Sequence, residues 1–167
     1  ESLIQRVNFL KGLKTSELEA IFSTLELTVG AEDFITSVKK LGYKIAIISG
    51  GFNFFANKLK TKLRLDYAFA NELEFEGDTL TGRVKGTIID ADQKEILLKM
   101  IAQQEEISLE QVVAIGDGAN DLPMLSCAGL GIAYHAKDVV KDKAQHSLSH
   151  GPMTSILYFL GIPGIID

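Results

Sequence analysis

Two aspartates four residues apart are the strongest chemical signal in the chain. The segment Ile115–Asp121 reads Ile-Gly-Asp-Gly-Ala-Asn-Asp and overlaps the end of an apolar run, Val112–Ile115. Such a run is typical of a buried parallel strand, and open α/β sheets bind ligands beyond the carboxyl ends of their strands. Carboxylates placed there suit Mg²⁺, which proteins hold through one or two carboxylates together with substrate phosphate. The alternative is a plain strand-to-helix turn in which Asp117 or Asp121 caps the helix.

Two further segments carry groups that suit a phosphate. Ser49–Gly51 lies between an apolar run, Tyr43–Ile48, and a helical pattern, and unpaired N–H groups at a helix start attract anions. Ser49 could equally be an ordinary helix cap. Lys94 stands near the start of a later predicted helix, although most lysines at such positions are solvated. Their order along the chain predicts a site in which Ser49 and Lys94 hold phosphoryl oxygens and Asp117 holds Mg²⁺.

The elements that must position these groups alternate along the chain. Apolar spacing predicts helices near residues 3–10, 18–25, 31–41, 52–63 and 94–101, a helix from 122 and a short amphipathic piece at 156–160. Apolar runs predict strands at 43–48, 67–70, 112–115 and 130–134, and a hairpin over 74–84 that turns at Gly77-Asp78. This alternation predicts an α/β fold with a Rossmann-like parallel sheet and helices on both faces. Residues 1–27 are all helical in this pattern and are predicted to belong to a separate helical layer.

Composition narrows the possible partners. The chain has 167 residues, is 46% hydrophobic and carries a net charge of -5, without a basic cluster for nucleic acid. No apolar run approaches the ~18 residues that a membrane span needs. The single cysteine, Cys127, fits a reducing compartment, so we expect a cytoplasmic protein. Whether the protein is a homodimer is left open.

The first residues of the sequence suggest a helix that is entered partway. One face of this helix carries Leu3, Val7 and Leu10, so we expect the protein to extend before residue 1.

The motifs together resemble the haloacid dehalogenase superfamily and, within it, the enzymes that hydrolyse O-phosphoserine. The resemblance runs almost from end to end and is carried by Glu1–Val7, Leu10–Leu13, Ile48–Phe52, Leu65–Asn71, Leu80–Gly82, Gly116–Leu125 and His135–Lys137. It implies a partial helical cap over residues 1–27, a haloacid dehalogenase-like core over residues 28–167, and a Mg²⁺-dependent phosphomonoesterase that acts on a small-molecule substrate. The expected reaction releases serine and phosphate through an aspartyl-phosphate intermediate.

The resemblance also implies a role for each matching residue. Ser49 and Gly50 would bind the phosphate through a hydroxyl and a backbone N–H, and Lys94 would neutralise its charge. Asp117 would be the Mg²⁺ ligand, and Asp121 would support the metal's ligands without touching the ion. Asn120 would contact the phosphate of the substrate. Arg6, in the cap, would bind the substrate's carboxylate, because a planar guanidinium can pair with both carboxylate oxygens.

The chain departs from the family pattern at one decisive point. The reaction needs an aspartate nucleophile in an Asp-x-Asp-x-Thr/Val motif on the family's first strand, which precedes the serine motif. Asp90-Ala91-Asp92 has the spacing but the wrong order, and we interpret Asp90 or Asp92 as a helix cap. We therefore expect the nucleophile upstream of residue 1 and residues 1–167 alone to be inactive. Two alternatives stay open: a phosphotransferase that passes phosphate to homoserine, and a chain that binds phosphorylated ligands without turning them over.

Overall fold

The computed structural model describes residues 2–162, so the outer ends of the two predicted domains, at residue 1 and at 163–167, lie outside it. The chain divides into two compact units. One combines Glu1–Leu27 with Gly42–Ile88, and the other combines Thr28–Leu41 with Ile89–Asp167. The predicted boundary after residue 27 separates a cap from a core, and that domain assignment stays a prediction.

The first unit is a three-stranded sheet with three helices. Its elements in chain order are α1 Leu3–Asn8, α2 Thr15–Thr24, β1 Ala46–Phe52, α4 Asn53–Leu63, β2 Tyr67–Glu76 and β3 Thr79–Lys85. β1 and β2 are parallel and joined by the crossover helix α4, whereas β2 and β3 form an antiparallel hairpin that turns at Gly77 (φ 63°). Parallel neighbours need such a crossover, and antiparallel ones a tight turn. The core cluster of this unit contains the buried side chains Val7, Leu18, Leu73 and Leu80.

The second unit is a three-stranded parallel sheet with four helices. Its elements are α3 Ala31–Lys40, α5 Ala91–Gln104, β4 Val113–Gly116, α6 Leu122–Cys127, β5 Leu130–Tyr134, α7 Asp138–Lys141 and β6 His146–Leu148, with 3₁₀ turns at Leu109–Gln111, Ala119–Asp121 and Met153–Tyr158. The strands are ordered β4-β5-β6 and all run parallel. Ile132 and Ile156 are fully buried in this unit.

The α/β class, with parallel strands and intervening helices, is confirmed. The two strands predicted at 67–70 and 74–76 form one continuous strand, β2, and the piece expected at 156–160 is a 3₁₀ turn at Met153–Tyr158. The expectation that α1 is entered partway is wrong, because Ser2 and Gln5 form a reciprocal capping box at its start. Within residues 2–162 no helix is long and apolar enough to cross a membrane.

Candidate active site

The two aspartates follow strand β4 of the second unit, at the carboxyl end of that strand. β4 and β5 lie in register with Gly116 opposite Ala133, and Asp117 is the first residue beyond that pair. The chain then makes the 3₁₀ turn Ala119–Asp121, and α6 begins at once with proline in its first turn. This tight reversal returns Asp121 to the strand end, beside Asp117.

The Asp121 carboxylate is buried, and both of its oxygens are hydrogen-bonded. One oxygen, Oδ2, accepts hydrogen bonds from the backbone N–H groups of Asp117 and Gly118, each at 3.0 Å. The other, Oδ1, lies 2.6 Å from Nζ of Lys94, and each of these two side chains is 7% exposed. Buried charges persist where they are paired and hydrogen-bonded, as both are here. Asp121 thus joins the loop to Lys94. Because both of its oxygens are already bound, this arrangement favours a role in positioning the groups around the metal over direct binding of the metal by Asp121.

The close approach of Asp121 requires a glycine at position 116. A Cβ added to Gly116 would lie 2.5 Å from Cβ of Asp121, and the two atoms cannot coexist unless the buried Asp121 side chain is displaced. A Cβ added to Gly118 would meet Oδ1 of Asn120 at 2.5 Å, but that side chain is exposed and can move aside. Gly116 therefore creates the space into which Asp121 folds back.

Asp117 and Asn120 differ from Asp121 in burial. Both residues are exposed, and in residues 2–162 the Asp117 carboxylate makes no hydrogen bond or ion pair. A free carboxylate at a strand end is a suitable ligand for a hard cation such as Mg²⁺, which keeps several non-protein ligands. No group of three or more His, Cys, Asp and Glu side chains in the described residues could hold a metal by itself. The donor set fits an ion shared with substrate oxygens or with further groups.

Lys94 is buried because its helix faces Asp121. Lys94, Leu98 and Ala102, spaced four residues apart, are the buried residues of α5. Apolar spacing predicts that Ile96, Leu97, Met100 and Ile101 face inward. For Ile96 and Met100 this is wrong, since they are 53% and 46% exposed. The ion pair with Asp121 brings a lysine into the interior, which apolar spacing does not predict.

Asp90 caps this helix, as predicted. Its carboxylate accepts a hydrogen bond of 2.9 Å from the backbone N–H of Gln93. A carboxylate bound to the first turn is the usual arrangement at a helix N-terminus. This contact accounts for the Asp-x-Asp spacing without a nucleophile.

Cys127 is an unsuitable rival nucleophile. It ends α6, is partly buried, and its Sγ lies 3.3 Å from the carbonyl of Met124. Burial first, and the nearby Glu95 carboxylate second, raise the pKa of the Cys127 thiol. The thiol therefore stays protonated near neutral pH, and the thiolate is the reactive form.

In the first unit, Ser49 and Gly50 lie in an irregular stretch of β1. Ile48 pairs with Phe69 and Phe52 with Asn71, so that three residues of β1 face one of β2. The N-cap of α4 is Phe52, so Ser49 is not the helix cap. Instead Oγ of Ser49 accepts a hydrogen bond of 2.9 Å from the backbone N–H of Gly51.

Sequence reasoning missed Asn71, which is 1% exposed and holds this stretch. Its Nδ2 donates a hydrogen bond of 2.9 Å to the carbonyl of Gly50. Asparagine is disfavoured in strands, so an Asn in the apolar run after Tyr67 was a usable signal.

Arg6 lies on α1 with an exposed side chain. A cleft of about 530 Å³ between α1 and β3 is lined in part by Ile4, Gln5 and Asn8, and Arg6 is not among its lining residues. In the described part of the chain no contact joins Arg6 to Ser49 or Gly50. Its assignment to the substrate carboxylate stays a prediction.

The predicted site residues thus form two groups, each inside one unit. Lys94, Asp117, Asn120 and Asp121 belong to the second unit, where Asp121 joins Lys94 to the Asp117 loop. Arg6, Ser49 and Gly50 belong to the first. The common pocket expected for Ser49, Lys94 and Asp117 remains a prediction.

The chain is similar to known proteins of one family. The family model for haloacid dehalogenase-like hydrolases matches residues 4–126. A phosphoserine phosphatase of Archaeoglobus fulgidus is 51% identical over 163 residues, which make up 98% of this chain and 47% of that protein. The chain therefore spans less than half the length of this curated relative.

Two solved structures are also similar. One is a substrate-bound phosphoserine phosphatase complex, and the other is a phospho-aspartyl intermediate analogue of phosphoserine phosphatase. Each is 42% identical with a TM-score of 0.89, and the match covers 96% of this chain and 76% of that one. By the residues matched and by these identities, the chain belongs to the haloacid dehalogenase-like hydrolase family.

Proposed function

We propose that the protein is a Mg²⁺-dependent phosphatase that hydrolyses O-phosphoserine to serine and phosphate, and that this chain supplies most of its phosphate and metal site. The observation that carries the proposal is the Asp121 carboxylate, which ties the buried Lys94 ammonium to the loop that presents Asp117. A fixed cation beside a free carboxylate suits a phosphoryl group bound together with a divalent metal. The similarity to phosphoserine phosphatases supports O-phosphoserine as the proposed substrate.

Each residue of the chain has a defined task in this proposal. The Ser49 hydroxyl and the Gly50 backbone donate hydrogen bonds to phosphoryl oxygens, and the Lys94 ammonium offsets their charge. Asn120 contacts the phosphate, and Arg6 pairs with the substrate carboxylate. Of these donors, the Lys94 ammonium is held by Asp121 before substrate binds, so it needs no reorganisation during the reaction.

Asp117 is the residue that would hold Mg²⁺. When bound, the ion would neutralise charge that develops on the transferring phosphoryl group. Asp121 contributes by orienting the Asp117 loop through two backbone N–H groups.

The nucleophile is the remaining requirement. Before Ser49 the sequence contains one aspartate, Asp33, and no Asp-x-Asp motif. We place the nucleophile upstream of residue 1 in the intact protein, where it would form an aspartyl-phosphate and divide the hydrolysis into two steps. A phospho-aspartyl analogue of a 42% identical relative supports this route. Residues 1–167 alone should not turn over substrate.

The experiment measures phosphate released from O-phosphoserine by the intact protein, with Mg²⁺ and with a chelator. We expect release that stops when the metal is removed. Substituting Arg6→Ala should slow the hydrolysis of O-phosphoserine more than that of phosphoethanolamine, which lacks the carboxylate, whereas Lys11→Ala should affect neither. The absence of phosphate release, or transfer to added homoserine in place of water, would refute the proposed reaction.

A further inference from the structure

We infer that Asn71 is a positioning residue, which aims the Ser49 hydroxyl at the phosphate by fixing the Gly50–Gly51 peptide group. The inference rests on the proposed function, since it assigns a role within the same site. Asn71 is one of three buried polar or charged residues among residues 2–162, and the other two, Lys94 and Asp121, are already explained by their ion pair.

The two hydrogen bonds converge on a single peptide group. Nδ2 of Asn71 donates to the Gly50 carbonyl at 2.9 Å, and the Gly51 N–H of that same peptide donates to Oγ of Ser49 at 2.9 Å. In a planar trans peptide the C=O and N–H point in opposite directions. Asn71 on one side and Ser49 on the other therefore fix both the tilt of the peptide and the position of the hydroxyl.

This peptide needs an external partner. It joins two glycines, which lack the Cβ that limits backbone rotation, and it lies where the pairing of β1 with β2 shifts between Ile48 and Phe52. Without Asn71 the Gly50 carbonyl would lose a buried donor, and the peptide could rotate. The Gly51 N–H would then no longer hold Ser49.

The arrangement leaves the Ser49 proton free. A serine hydroxyl has one O–H to donate and two lone pairs that accept. Ser49 accepts from Gly51, and within residues 2–162 its own O–H makes no hydrogen bond. That O–H is available to a phosphoryl oxygen, and its direction depends on the peptide that Asn71 holds.

A double-mutant cycle tests this coupling in the intact protein with Mg²⁺. The measurement is the dissociation constant for inorganic phosphate in Ser49→Ala, Asn71→Ala and the double variant. We expect each single substitution to weaken binding about tenfold, as for loss of one hydrogen bond to a charged group. The double variant should be no weaker than Ser49→Ala, because Asn71 acts through Ser49. Leu73→Ala is the control, since Leu73 is 3% exposed on the same strand and its apolar side chain cannot donate a hydrogen bond to the Gly50 carbonyl.

A second variant gives a readout that loss of packing alone would not produce. In Asn71→Asp the protonated carboxyl can donate to the Gly50 carbonyl, whereas the carboxylate cannot. Burial raises the pKa of such a carboxyl, because it disfavours the charged form. Phosphate affinity relative to the unsubstituted protein should therefore recover as the pH falls. This variant also decides the matter if Asn71→Ala does not fold.

The outcomes separate the inference from the proposed function. Multiplying effects in the double variant, equal weakening by Leu73→Ala, or no recovery of Asn71→Asp at low pH would overturn the role of Asn71. Failure of the unsubstituted protein to hydrolyse O-phosphoserine while it still binds phosphate would refute the proposed function and leave the cycle valid. Absence of phosphate binding in the unsubstituted protein would overturn both.

Discussion

The Lys94 ammonium lies 2.6 Å from Oδ1 of Asp121, and both side chains are almost completely buried. The pair joins the first turn of α5 to the loop that follows β4. Because the second carboxylate oxygen of Asp121 binds two backbone N–H groups of that loop, one side chain positions both the cation and Asp117. Lys94 is therefore part of the fold as well as of the candidate site.

Removing the Lys94 charge should damage stability and activity together. Lys94→Met leaves the buried Asp121 carboxylate without its partner, which should lower the free energy of unfolding by about 3–5 kcal/mol. Phosphate release from O-phosphoserine should also be lost. Urea unfolding measures the loss of stability, and Lys99→Met, measured in the same way, is the control. Lys99 pairs with Glu95 on the exposed side of the same helix, and its loss should leave stability nearly unchanged. Similar curves for the two variants would show that the buried pair has no special role.

Adding one methyl group to Gly116 should displace Asp121. The new Cβ would overlap the Asp121 side chain, and overpacking of this kind lowers the free energy of unfolding by roughly 1–3 kcal/mol. Mg²⁺-dependent phosphate release by Gly116→Ala should fall with it. Gly42→Ala isolates backbone strain, since Gly42 has a φ of 87° and open space around its Cβ position. That control should lose stability and keep its activity; retained activity in Gly116→Ala would contradict the placement of Asp121.

Substitutions of Asp90 distinguish between two roles for this residue, helix cap and nucleophile. Asparagine caps helices as well as aspartate does, so Asp90→Asn should keep both stability and phosphate release. Asp90→Ala should lower the free energy of unfolding by about 1 kcal/mol, within the range for a lost cap, and remain active. Steady-state phosphate release by the two variants decides the question. Inactivity of Asp90→Asn in a folded protein would make Asp90 the nucleophile and refute the cap.

Local pattern was enough to predict most elements of the fold. The strand at 130–134 and the hairpin turn at Gly77 are where alternation and turn residues placed them. Strand β6 His146–Leu148 was missed because His146 and Ser147 are polar and exposed, and Leu148 alone carries no periodic apolar signal. Its position depends on pairing with β5, which a local window does not contain.

The residues of the candidate site could be predicted from their types and spacing, but the contacts between them could not. Asp117 and Asp121 were identified from their spacing, yet the burial of Asp121 depends on Lys94, 27 positions away in the chain. Asn71 was missed for the same reason, since its partner Gly50 lies 21 positions away. Hydrogen bonds between distant segments are set by tertiary packing, which overrides the periodicity of either segment.

The most direct test of the account is the Mg²⁺ dependence of phosphate release by Asp117→Asn in the intact protein. Asp117 is exposed and its carboxylate has no partner in the described part of the chain, so the variant should fold with an unchanged unfolding midpoint. The account predicts that O-phosphoserine hydrolysis is abolished at every Mg²⁺ concentration. Asp138→Asn, at a side chain that is 92% exposed, should behave like the unsubstituted protein. A folded Asp117→Asn protein with near-normal Mg²⁺-dependent turnover would contradict the metal site and the mechanism built on it.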